Sequence, residues 1–215
     1  MEAVDESATG SVCYSRPPSP ALTRSSDRAA GGVADLSSMA RRVGLVLALL
    51  CVVAGLAVLV PIRAGAAGTR QASGLDLSVL AQLNQVRSEH GLVPLTLSPG
   101  LDAAALQHTR DMVSNGYFGH ASSNGTPFWR RIARYYPQSR YAYWSVGENL
   151  VWTSGAASAA AGLHAWMTSP AHRANILDPA WRQVGIAALG APHGPGAFAG
   201  LAVTVITADF GVRRH

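Results

Sequence analysis

From residue 75 onward the apolar positions recur at helical spacing, then shift to nearly continuous apolar runs near the C-terminal end. Leu77, Leu80, Leu83 and Val86 share one stripe after Asp76 or Ser78 as a cap, and Gly91 stops the run, which predicts a first helix. Ser98-Pro99 is a cap and first-turn pair. Leu101, Ala105, His108 and Met112 then fall on one face before Gly116 ends the second helix. Thr126-Pro127 repeats the signal for a short third helix with Phe128, Ile132 and Tyr135 inward. An alanine-rich helix over residues 156–168, carrying Leu163 and Trp166, cannot run past Ser169-Pro170. A new helical turn starts there, capped by Ser169, with His172 in its first turn. Residues 183–188 and 201–208 are β-rich and joined by a Gly/Pro loop over 190–200, so they predict an antiparallel pair. Helices early and strands late make the domain α+β.

Before this domain the pattern differs. Residues 1–42 carry scattered charge without apolar periodicity and read as disordered. Residues 43–62 are almost wholly apolar, long enough to cross a bilayer, and residues 63–74 read as a linker. Arg41 and Arg42 abut the apolar run, with Arg24 and Arg28 behind them, so the N-terminus is expected inside and residues 75–213 outside. Translation from Met39 would instead give a secretory signal ending at Ala64-Gly65-Ala66. Anchor and cleaved signal are both compatible with the sequence, and both export the same domain.

The two cysteines, Cys13 and Cys51, precede the exported part, which therefore has neither an internal disulfide nor a thiolate metal site. Leu49-Leu50 lacks the small residue that lipid anchoring at Cys51 would need. The net charge is +5, all of its positive part from arginine. No nucleic-acid partner is expected from so diffuse a charge, and Arg130, Arg131 and Arg134 read as one solvated helix face. Trp129, Tyr135, Tyr136, Tyr141, Tyr143 and Trp144 form an aromatic-rich segment, read as core or loop packing before sugar or lipid stacking. Asn124-Gly125 marks a turn, and Asp209-Phe210-Gly211 a strand end.

Chemistry concentrates at His120, Glu148 and His172, each beside a glycine or a helix start, where side chains converge on a cleft. The dipole at the start of its helix favours a neutral His172, the form a metal needs. Two imidazoles and a carboxylate are the ligand set of a divalent ion such as zinc, with a fourth position left to water. The same three residues would equally make a hydrogen-bonded cluster that ties loops together without metal. His108 lies on an apolar stripe and reads as a packed core histidine outside the site. His164, two residues before Trp166, could reach the cleft or equally be an exposed helix position.

The ordered motifs are Leu83-Asn84 with Arg87 and Gly91-Leu92, Gly116-Tyr117-Phe118-Gly119-His120, Gly147-Glu148-Asn149-Leu150, Trp166 with the run from Ser169 to Leu177, Val184-Gly185-Ile186 and Asp209-Phe210-Gly211. Together they resemble the CAP superfamily, also called SCP-like, which includes cysteine-rich secretory proteins, antigen 5 and plant pathogenesis-related 1 proteins, and specifically its bacterial branch. The resemblance implies a three-layer α-β-α sandwich with a cleft lined by two histidines and two acidic residues, sometimes holding a divalent metal. Carried over, the histidines are His120 and His172 and the first acid is Glu148. The second acid is expected three residues after Trp166, where this chain has Ser169.

That departure removes a carboxylate that two-acid chemistry requires. The expected function is therefore an exported, monomeric binding domain for a small ligand, a divalent metal, or an extracellular lipid, glycan or peptide, rather than an enzyme. One alternative is a hydrolase with Ser169 as nucleophile, His120 or His172 as base and Glu148 as orienter. Another is a non-catalytic structural module of the cell surface.

Overall fold

The computed structural model describes residues 72–215, and the expectations for residues 1–71, including the apolar run, lie outside them. Among the described residues no helix is long and apolar enough to cross a membrane. The elements are α1 (Gly74–Glu89), β1 (Thr96–Leu97), α2 (Pro99–Asn115), α3 (Phe128–Tyr135), β2 (Tyr143–Ser154), α4 (Ala159–Thr168), α5 (Pro170–Ile176), β3 (Gln183–Ala191), a 3-10 turn (Gly196–Phe198) and β4 (Val203–Arg214). The four strands form one mixed sheet in the order β1-β3-β4-β2. β1 runs parallel to β3, and β4 is antiparallel to both neighbours. The expected pairing of the two C-terminal strands is present and extends beyond the predicted residues at the C-terminal end of each.

Alternation along the strands divides the core. Val184, Ile186, Ile206, Ala208, Phe210 and Val212 pack with Val79 and Leu83 of α1, Trp166 of α4 and Ile176 of α5. The residues between them face the other way, where Trp144 and Val146 meet Leu101, Phe128 and Ile132, and Leu150 and Val205 meet Met112. α2 lies so close to this second face that a Cβ on Gly185 would overlap the Leu101 and Asp102 backbone. Only glycine permits that approach at β3.

Three local expectations are corrected. The cap of α1 is Ser73, not Asp76 or Ser78: Ser73 Oγ accepts from the Asp76 amide at 3.2 Å, and the Ser73 amide donates to Asp76 Oδ2 at 2.7 Å. The other Asp76 oxygen accepts from Ala188 N at 2.9 Å, so the acid also ties the helix to β3. The buried stripe becomes Asp76, Val79, Leu83 and Arg87, while Leu77 is 50% exposed. In α3, Tyr135 is 41% exposed, and Arg131 and Tyr136 are buried beside Phe128 and Ile132. The largest omission is β2, a 12-residue strand where the sequence suggested loops around Glu148. Its middle is buried on both faces, so it lacks the polar alternation that marks a half-exposed strand.

Candidate functional site

Glu148 lies in the middle of β2, wholly buried, with its side chain directed to the α2 and α3 side. Both carboxylate oxygens are engaged. His120 Nδ1 donates to Oε1 at 2.7 Å, and the Arg131 guanidinium makes a close ion pair with Oε2 through Nη2. Arg131 also donates from Nη1 to the His120 carbonyl at 2.9 Å, so one guanidinium fixes the acid and the loop that brings the imidazole. It is 2% exposed, which corrects its reading as part of a solvated face, whereas Arg130 and Arg134 are exposed.

Two further residues complete the cluster. Asp209 is directly opposite Glu148 in the β2–β4 register and is also fully buried. Burial, the neighbouring Glu148 charge and a hydrogen bond with Glu148 push the Asp209 carboxyl well above its usual range, with Arg131 opposing. Asp209 therefore keeps its proton to higher pH than an ordinary carboxyl does. Glu148 shifts the other way: burial would raise it, but Arg131, His108 and His120 outweigh burial and hold it at about 2. The strands thus bring together two carboxyls whose environments push them in opposite directions.

His108 is packed and hydrogen-bonded as expected, donating from Nε2 to the Gly119 carbonyl at 2.9 Å. The same nitrogen is 3.9 Å from Glu148 Oε2, so this core histidine borders the site it was left out of. Burial, with Arg131 adding to it and Glu148 opposing, lowers its pKa to about 4, and the ring is neutral at pH 7. Sequence signals for the missed residues did exist. Arg131 is three residues after Phe128 and four before Tyr135, on the apolar stripe, and Asp209 continues an apolar strand, where a carboxyl must find a buried partner.

His172 is buried in the first turn of α5. Its carbonyl accepts from Asn149 Nδ2 at 3.1 Å, which ties α5 to the strand residue next to Glu148. Ser169 occupies the expected cap position between α4 and α5, yet its hydroxyl makes no capping bond to α5. His164 is exposed, the second of its two readings, while Tyr136 and Trp144 of the aromatic segment are core. Asp209-Phe210-Gly211 lies within β4 rather than at its end. Among the described residues no group of three or more His, Cys, Asp or Glu side chains is arranged to hold a metal ion. The chemistry at Glu148 accords with this, because N–H donors and a fixed guanidinium charge take the places a cation would need.

Comparisons with known proteins agree with the ordered motifs. The model of a family described as "Cysteine-rich secretory protein family" (CAP) matches residues 80–210. "Uncharacterized protein YkwD" of Bacillus subtilis (strain 168) is 30% identical over 115 residues, covering 53% of this chain and 42% of that protein. "Uncharacterized membrane protein YlbC" of the same organism is 25% identical over 111 residues, covering 52% of this chain and 30% of that protein. The match therefore takes in less than half of either relative. Among solved structures, an outer surface protein from Borrelia burgdorferi has a TM-score of 0.50 at 18% identity, covering 67% of this chain and 97% of that one, and is similar in fold.

Proposed function

This chain belongs to the cysteine-rich secretory protein (CAP) family, and from that premise we propose that residues 75–213 form an exported binding domain built as a three-layer α-β-α sandwich. Its cleft, which we assign to His120 beside Glu148 and to Ser169 and His172 at the start of α5, receives a small ligand, lipid, glycan or peptide outside the cell without turning it over. Export is supported by the apolar run over residues 43–62, and YlbC, a relative, is named a membrane protein. The observation that carries the binding reading is the state of the acids. Glu148 is committed to His120 and Arg131, the Asp209 carboxyl is pushed towards its protonated form, and Ser169 stands where the resemblance expects the second acid. Neither a metal-bound water nor a two-carboxylate mechanism has the groups it needs.

Isothermal titration of the full chain with zinc chloride, anionic and neutral lipid vesicles, chitin oligomers and short peptides tests the reading. Zinc is expected to be silent. At least one organic probe should bind and weaken tenfold or more in His120→Ala or His172→Ala. Silence across every organic probe would refute a ligand cleft.

One observation favours a second reading, hydrolysis. His120 Nδ1 is oriented by Glu148, as a general base would be, and the Ser169 hydroxyl is not used in capping. Acyl-ester turnover that disappears in Ser169→Ala, with the fold intact, would displace the binding reading.

A further inference from the structure

A polar cavity of about 140 Å³ opens between α2, the loop after His120 and α3. By the measure in which about 10–15 Å³ admits one water, it has room for roughly ten non-hydrogen atoms. Gln107 and Asp111 come from α2, Ser122 and Ser123 from the loop, and Arg131 and Arg134 from α3. The Asp111 oxygens are already spoken for. They accept from Tyr117 Oη at 2.6 Å, Ser123 N at 2.9 Å, Ser123 Oγ at 2.7 Å and Asn115 Nδ2 at 2.8 Å. Asp111 therefore builds the wall and has little capacity left for a ligand.

What the cavity offers is donors. Arg131 is 2% exposed, and its buried Nε N–H has no hydrogen-bond partner among the described residues. An unmet N–H on a buried guanidinium is costly and calls for an acceptor. Arg134, one turn on, adds an exposed guanidinium to the same lining. Two guanidinium groups and a committed carboxylate suit a planar anion, because a carboxylate matches the guanidinium fork.

We propose that this cavity binds a small carboxylate through Arg131 and Arg134, and that the ligand and Glu148 compete for the one guanidinium they share. The inference deepens the binding reading, and rests on it, by naming a ligand class for a pocket that shares Arg131 with the Glu148 cluster. Occupancy draws Arg131 toward the ligand and loosens its hold on Glu148 and on the His120 carbonyl. The cavity thereby reports to the cleft.

The test is calorimetric titration of the full chain with N-acetylalanine, its uncharged methyl ester and N-acetylglucosamine. The free acid should bind one to one, the ester and the sugar at least tenfold more weakly. Arg134→Ala, an exposed position, should weaken the acid tenfold or more, and Glu148→Gln should tighten it severalfold by releasing Arg131 from its internal counter-ion. Equal binding of the ester, preference for the sugar, or unchanged binding in Arg134→Ala would overturn the proposal. Should Glu148→Gln fail to fold, the Arg134 variant and the ester still decide. No carboxylate binding, alongside an organic probe that depends on His120, would remove this cavity and leave the cleft standing.

Discussion

Glu148 and Asn149 are neighbours on β2 whose side chains leave opposite faces of the sheet, and the two faces satisfy buried polar groups by different means. On the α5 side the solution is neutral. Asn149 Nδ2 donates to the His172 carbonyl, Asn175 Nδ2 donates to Asn149 Oδ1 at 2.9 Å, and Trp181 Nε1 donates to the Asn175 carbonyl at 2.9 Å. On the α2 and α3 side the solution is ionic: a carboxylate, a guanidinium, a second carboxyl raised above its usual range and two imidazoles around one point. Amides hold α5 in place at any ordinary pH. The ionic face stores charge and a proton, so it is the face that can respond to a ligand or to acid.

The comparison breaks most visibly at Arg131. Arg131→Met leaves the buried Glu148 carboxylate without its guanidinium, and removing one partner of a buried pair costs about 3–5 kcal/mol. Urea denaturation at pH 7 measures it. Adding Glu148→Gln should restore much of the loss, since the stranded charge is gone, and a double variant showing the simple sum would contradict the pairing. On the neutral face the effect is smaller. Asn175→Ala leaves the Asn149 carbonyl oxygen without its amide donor, for about 1–3 kcal/mol, and that loss should be the same at pH 5 and pH 8. A strongly pH-dependent loss would mean that the amide face is coupled to the ionic one.

Much of this scaffold was legible because it is written in local chemistry. Gly116 has φ 64°, the left-handed value that a helix-ending glycine adopts, and Ser169-Pro170 breaks one helix and opens the next. His120 and Glu148, expected to converge, do meet. What escaped depends on partners remote in sequence. A carboxylate in the centre of a strand buried on both faces resembles a loop residue until Arg131, 17 positions earlier, is known to neutralise it. Arg131 in turn looks solvated until that carboxylate is known. Asp209 needed the strand register, which turns on β4 reaching back to β2 across the whole C-terminal third. Each member is improbable alone, and only the assembled cluster makes any of them inexpensive to bury.

The subtlest difference between the faces is in proton linkage, where two members of the ionic cluster pull in opposite directions. His108 stays neutral in the fold down to about pH 4, while an unfolded histidine takes a proton near 6.5. Between these values the unfolded chain binds the extra proton, and stability is lost as pH falls, by about 1.4 kcal/mol per unit. Asp209 is the reverse: its raised carboxyl keeps in the fold a proton that the unfolded chain releases near 3.9, so stability is lost as pH rises. Between about pH 4 and 6.5 the two contributions oppose each other. His108→Gln, whose amide still reaches the Gly119 carbonyl, should unmask a stability that falls with rising pH across this window. Asp209→Asn, close in shape and proton-free, should unmask one that rises. Urea midpoints taken every half unit for the wild type and both variants separate the curves, and three parallel profiles would mean that the cluster holds no proton between its strands.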